Sequence, residues 1–170
     1  MKTSTLLLLL ALSAACATAG QLAVSLTGQF ATSDIPGPLV APGGNWALSF
    51  TVNSTPTVSN VDTLGFDVPY SNFSYRLNNS VVSAAPNSIR LYTTGGLGLF
   101  SLFFGPESGS VNGTPVPIFD FSGPQVFSGT TAAPTILAGS YAVSDWTYSD
   151  AQNYDRHSPA AIQATINAVP

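Results

Sequence analysis

From position 45 onward the chain alternates apolar and polar residues, with Trp46, Leu48, Phe50 and Val52 on one side and Ala47, Ser49, Thr51 and Asn53 on the other. A period of two is the mark of a strand with one buried and one wet face. Gly43 and Gly44 precede this run and Pro56 follows it, so turn formers bound it on both sides. Two other segments share the pattern. Over 21–30, Leu22, Val24, Leu26 and Phe30 oppose Ala23, Ser25, Thr27 and Gln29, and over 162–168, Ile162, Ala164, Ile166 and Ala168 oppose Gln163, Thr165 and Asn167. Each predicts a strand with its apolar face on the core.

Between these runs the signals are shorter. The segment 33–44 is rich in proline and glycine and reads as a loop, while a short strand is expected over 63–68. Residues 71–82 predict a hairpin closing on Asn78-Asn79, because asparagine tolerates the positive φ of a two-residue turn. A second hairpin should join 88–92 to 97–104 across Thr93-Thr94-Gly95-Gly96. Over 97–104 both faces are apolar, which fits a central strand covered on both sides or an aromatic surface patch. Short strands over 116–121 and 125–127 and a longer one over 138–148 complete the set; in the last, Tyr141 and Val143 face opposite to Trp146 and Tyr148. No convincing helical stripe and no internal repeat is found in 20–170. The pattern predicts one all-β domain, an antiparallel β-sandwich of jelly-roll or immunoglobulin-like kind with roughly nine or ten strands.

The first nineteen residues stand apart. Lys2, the apolar run at 6–12 and Ala17-Thr18-Ala19 form the three parts of a secretory signal peptide, so cleavage after Ala19 leaves a mature domain at 20–170. The apolar run is too short to span a membrane. Cys16 lies within this leader; Ser13-Ala14-Ala15-Cys16 resembles a lipidation site but lacks the large apolar residue three places before the cysteine, so soluble export is the expectation.

Composition changes the picture in two ways. With 45% hydrophobic and 7% charged residues, the chain is the reverse of a disordered one, which combines low hydrophobicity with high charge. The mature segment has no lysine, and its three arginines against eight acids leave a net charge of −5, which disfavours nucleic acid and anionic lipid as partners.

Candidate chemistry is sparse. His157 is the single histidine; Asp155 and Ser158 adjoin it, but adjacency is not triad geometry, and no Gly-x-Ser-x-Gly elbow presents a serine. One histidine and no mature cysteine exclude a zinc site built from those ligands. Glu107 sits in the turn-forming run Gly105-Pro106-Glu107-Ser108-Gly109 with no partner carboxylate in register for glycosidase work. Asp145, Asp150, Asn153 and Asp155 are the densest oxygen set and form the candidate calcium site, although EF-hand spacing and its loop glycine are missing. Trp146, Tyr148 and Tyr154 share that region and are the candidate sugar-stacking residues; Tyr70, Phe73 and Tyr75 cluster earlier. Sequons at Asn53, Asn72, Asn78 and Asn112 would accept glycans in a eukaryotic secretory pathway.

The runs Trp46-Ala47-Leu48-Ser49-Phe50-Thr51-Val52, Val68-Pro69-Tyr70-Ser71-Asn72-Phe73-Ser74-Tyr75 and Leu77-Asn78-Asn79-Ser80, placed after a leader, resemble secreted bacterial proteins of the PEP-CTERM, exosortase-sorted group. The ending Ile166-Asn167-Ala168-Val169-Pro170 looks like the approach to that group's sorting signal. The Glu-Pro, apolar stretch and basic tail of the signal itself are not in this sequence, and the DNA past the Pro170 codon would show whether they follow. The resemblance implies export and association with exopolysaccharide or biofilm matrix, and transfers no catalytic residue. Two functions are therefore expected: a non-enzymatic structural or adhesive component of an extracellular polysaccharide matrix, with polysaccharide or other matrix proteins as partners, or a carbohydrate-binding module using exposed aromatics of 145–155. Buried rings favour the first and an exposed coplanar pair the second.

Overall fold

A computed structural model describes residues 20–30, 40–94, 98–104, 110–111, 114–115, 118–149, 154–157 and 163–169, with the backbone alone for 110–111, 114–115, 118, 148–149, 154–157 and 163. The leader at 1–19 with Cys16, together with Glu107, Asn112, Asp150, Asn153 and Ser158, lies outside the described residues.

Every regular element described is a strand. In chain order the first eight are β1 (Gln21–Gln29), β2 (Asn45–Asn53), β3 (Gly65–Val68), β4 (Ser71–Leu77), β5 (Ser80–Val82), β6 (Ser88–Tyr92), β7 (Gly98–Phe103) and β8 (Ser110–Val111). The rest are β9 (Thr114–Pro115), β10 (Ile118–Ser122), β11 (Phe127–Thr130), β12 (Ala133–Ile136), β13 (Gly139–Ala142), β14 (Asp145–Ser149), β15 (Tyr154–His157) and β16 (Gln163–Ala168). Two six-stranded antiparallel sheets hold most of them, in the orders β13-β16-β1-β2-β4-β5 and β15-β14-β10-β7-β6-β3. The all-β, antiparallel expectation stands, but twelve strands in the main sheets exceed the nine or ten that periodicity suggests. The excess comes from β15, which is too brief to establish a period, and from the division of 138–148 between β13 and β14.

The two sheets meet through aromatic side chains. Trp46 of β2 lies 5.4 Å from Trp146 of β14, Phe50 lies 5.5 Å from Phe100 of β7, and Tyr75 of β4 lies 5.7 Å from Phe119 of β10, ring centre to ring centre. This gives a sandwich-like core in which the apolar sides of β1 and β2 supply one layer and the Phe119, Phe121, Phe100 and Trp146 rings the other. Full burial of such side chains is worth roughly 1.5–3 kcal/mol each.

Local chemistry explains several elements. Asn78 and Asn79 adopt φ of 48° and 68°, the left-handed pair that a two-residue turn demands, and Asn78 Oδ1 accepts a 2.9 Å hydrogen bond from the Asn45 N–H, tying the hairpin to β2. Strand β7 is buried along its whole length between β10 and β6, so its doubly apolar sequence reflects a central position. Residues 138–148, expected as one strand, are two. The chain leaves β13 in the first sheet and enters β14 in the second around Val143-Ser144, and the phase slip between Tyr141/Val143 and Trp146/Tyr148 marks that crossing.

Where β7 meets β10 the register shifts, and Ser122 pairs with Gly98 after Phe121 has paired with Phe100. Gly98 has φ of 84°, and a Cβ there would lie 1.7 Å from the Gly123 carbonyl oxygen. Only glycine fits a left-handed residue packed on backbone. Gly98→Ala is expected to lower stability by about 2 kcal/mol or more, read as the midpoint shift in chemical denaturation. A variant as stable as the parent would show that the bulge relaxes freely.

Candidate functional site

Charge is divided unequally between the sheets. The six strands of the first sheet hold one charged residue, Arg76, whereas the second sheet carries Asp67, Arg90, Asp120, Asp145, Asp155 and Arg156. This division follows from the strand sequences but becomes a property of faces only once pairing is known.

On the second sheet three of these charges lie in one line. Side by side across β3, β6, β7, β10 and β14 stand Asp67, Arg90, Ser101, Asp120 and Thr147, all on the side away from the Phe119–Trp146 layer. Four of the five are buried. Arg90 donates to Asp67 Oδ1 at 3.2 Å, to the Asn60 carbonyl at 2.8 Å and to Asp62 Oδ2, and its guanidinium lies 5.5 Å from the Tyr92 ring centre. Asn60 Nδ2 donates to the other Asp67 oxygen at 2.7 Å. Asp62 accepts from the Leu64 and Gly65 N–H groups, and these bonds, followed by Arg90, hold its carboxyl below the usual aspartate range. The arginine is therefore enclosed by acceptors.

Asp120 lies further along the same line. Its carboxylate accepts from Ser101 Oγ and, at 3.4 Å, from Thr147 Oγ1, yet burial outweighs both bonds and raises its pKa. A raised folded pKa means that the native state binds the proton more tightly than the unfolded chain just above the usual aspartate value. Stability from this group is greatest below that value and falls as pH rises through the folded pKa. Asp120→Asn keeps an acceptor for Ser101 and removes the charge. The variant should be more stable than the parent at pH 7 and should lose that advantage at pH 3.5, as measured by urea denaturation at both values. Equal stabilities at pH 7 would show that Asp120 carries no penalty.

The first sheet has the opposite character. Its outward positions are mostly exposed or half-exposed hydroxyl and amide residues, interspersed with Ala23, Ala47, Arg76 and the exposed Val81, and pairing aligns Ser140, Thr165, Ser25, Ser49 and Ser74 in one row across five strands. Neighbouring positions carry Gln21, Thr27, Gln29, Asn45, Asn53 and Asn167. At the Gln21 end a cleft of about 180 Å³ opens, lined by Gln21, Thr51, Val52, Asn53, Pro69, Tyr70 and Ser71. A bulge between Ser49 and Thr51, with Asn72 at φ of 51°, shapes its wall. The Tyr70 hydroxyl donates to the Pro86 carbonyl and its ring meets Phe73 edge-on at 6.0 Å, so the ring is held from behind; burial raises its phenol pKa.

The sequence-predicted site fares differently. Trp146 is a core residue with 1% exposure, packed against Phe30 and Trp46, so it offers no face for stacking a sugar. Its place in the inward phase of β14 is the physical reason. Tyr148 and Tyr154 lie on β14 and β15, where backbone pairing sets Tyr148 against Asp155 and Ser149 against Tyr154; their side chains lie outside the described residues. Of the calcium candidates, Asp145 begins β14 half-buried, Asp155 is described by backbone alone, and Asp150 and Asn153 lie outside the described residues. Among the described residues no three His, Cys, Asp or Glu side chains are placed to hold a metal ion. Tyr70 and its neighbours were visible only as an aromatic cluster, because Gln21 and Asn53 reach it through strand pairing.

No protein-family model, curated protein or solved structure matches the chain.

Proposed function

We propose that this is a secreted, non-enzymatic protein serving as a structural or adhesive component of an extracellular polysaccharide matrix. The observation that carries the reading is the outer face of the first sheet, on which the described residues are mainly hydroxyls and amides with one charged residue, Arg76. Such a surface suits a medium of uncharged polyhydroxyl chains and offers little to nucleic acid. The spending of Trp46, Trp146 and the Phe119–Phe121 pair on the core supports a structural role over one in which those rings bind. The leader-like 1–19 segment supports export with cleavage after Ala19, and the resemblance to PEP-CTERM proteins points the same way. We read the architecture as a jelly-roll or immunoglobulin-like sandwich, since each sheet is assembled from distant parts of the chain.

Fractionation of the producing cells tests the proposal. The chain should sediment with the polysaccharide matrix and be released when that polymer is degraded. Recovery wholly in the soluble medium or inside the cell would overturn it.

A further inference from the structure

We propose that the outer face of the first sheet is a binding surface for an uncharged polysaccharide, with one sugar unit seated in the Tyr70 cleft and its neighbours lying along β1 and β2. This deepens the matrix reading and rests on it for the class of ligand. Three observations converge on that face.

The first is charge. The protein is acidic overall, yet among the described residues no acid lies in the strands of the first sheet. An anionic polymer would meet the net negative charge with Arg76 as the one cation in the described strands of this sheet, whereas a neutral polymer has no such barrier.

The second is hydrogen-bonding capacity. Hydroxyls both donate and accept, and amide side chains carry one group of each kind, which matches the mixed capacity of sugar hydroxyls. On a sheet these groups repeat about every 4.8 Å between strands and about every 6.8 Å along a strand. A nine-residue strand such as β1 extends about 30 Å, long enough for several consecutive units. A protein partner is disfavoured because protein interfaces are enriched in aromatics and depleted of serine at their centre, the reverse of the Ser25, Ser49 and Ser74 row.

The third is the cleft. Its volume is below the roughly 300–1,000 Å³ of drug-sized pockets, so it takes a single small unit rather than a whole ligand. Tyr70 supplies a ring, and Gln21, Asn53 and Ser71 supply polar groups on the same rim. It opens where Gln21 pairs with Asn53, so a chain leaving it along the strands passes Ser25 and Ser49.

Affinity electrophoresis of the full chain, purified after export from a bacterial host, tests this in native gels containing hydroxyethyl cellulose, galactomannan or alginate. Variants Ser25→Arg, Tyr70→Ala and, on the exposed part of the β11–β12 hairpin, Ser128→Arg run alongside, with unfolding midpoints confirming that each is folded. The expected result is retardation by at least one neutral polymer and none by alginate. Ser25→Arg and Tyr70→Ala should each weaken it by about tenfold, and Ser128→Arg should leave it unchanged. Should Tyr70→Ala fail to fold, Tyr70→Phe and Ser25→Arg carry the test, because Phe keeps the ring and should retain most binding. Equal retardation of the parent and both face variants would overturn the surface. Retardation by alginate alone, or by none of the three polymers, would overturn the ligand class. Either result leaves the matrix reading to be judged separately by where the chain fractionates.

Discussion

Replacing Arg90 by Met should cost about 3–5 kcal/mol of folding stability, seen as a large drop in the urea midpoint. The reason lies in what remains. Asp67 has 6% side-chain exposure and, among the described residues, would keep Asn60 Nδ2 as its one side-chain donor, while Asp62, at 56% exposure, returns to water at little cost. A buried carboxylate without its cation bears a desolvation penalty that the pair had offset. The loss therefore belongs to Asp67 more than to the ion pair itself. Arg90→Met combined with Asp67→Leu should accordingly recover most of the deficit, because an apolar pair of similar volume is often neutral or better at such sites. If the double variant were as unstable as the single one, the guanidinium's bonds to the Asn60 carbonyl and its packing on Tyr92 would be the main contribution instead. Asp62→Asn, which keeps an acceptor for the Leu64 and Gly65 N–H groups, should lower the urea midpoint far less than Arg90→Met does, since Asp62 is exposed.

Trp146→Ala should be as damaging, at about 3–5 kcal/mol. The indole is in contact with both sheets' aromatic layers, edge-on to Phe30 at 5.6 Å and to Trp46 at 5.4 Å and stacked near Phe121 at 6.3 Å. Removing it leaves a cavity that stiff rings fill poorly, whereas Trp146→Phe keeps part of the contact and should cost less than half as much. The same pair separates two accounts of this residue. A sugar-stacking tryptophan would lose affinity with little change in stability, while a core tryptophan loses stability and, wherever the variant is folded, keeps any polysaccharide retardation. We expect the second outcome. A stable Trp146→Ala protein with lost binding would restore the sugar-binding reading of 145–155.

Trp146 also shows where reading the chain alone stops. Its alternation with Thr147 places it on one side of a strand, but the side is named only by the partner strand, and Phe121 opposite it settles that side as the core. Tyr70 is the converse. Nothing local distinguishes it from Phe73 or Tyr75, and the amides that give it a polar rim come from Gln21 and Asn53, far away in sequence. Arg90 and Asp67 are likewise ordinary polar residues in short strands until register sets them side by side.

Alternation by itself was enough to determine the all-β class, the long strands β1, β2 and β16, and the Asn78-Asn79 hairpin, because period and turn chemistry act over a few residues. The leader-like segment and the low charge were equally plain from composition. Only the tertiary structure decided that 138–148 divides between two sheets, that most charges gather in the second sheet while the outer face of the first is mainly hydroxyl and amide, and that a cleft forms beside Tyr70. Those properties arise from pairing between distant segments, and a period of two specifies that a strand has two faces without specifying what either one meets.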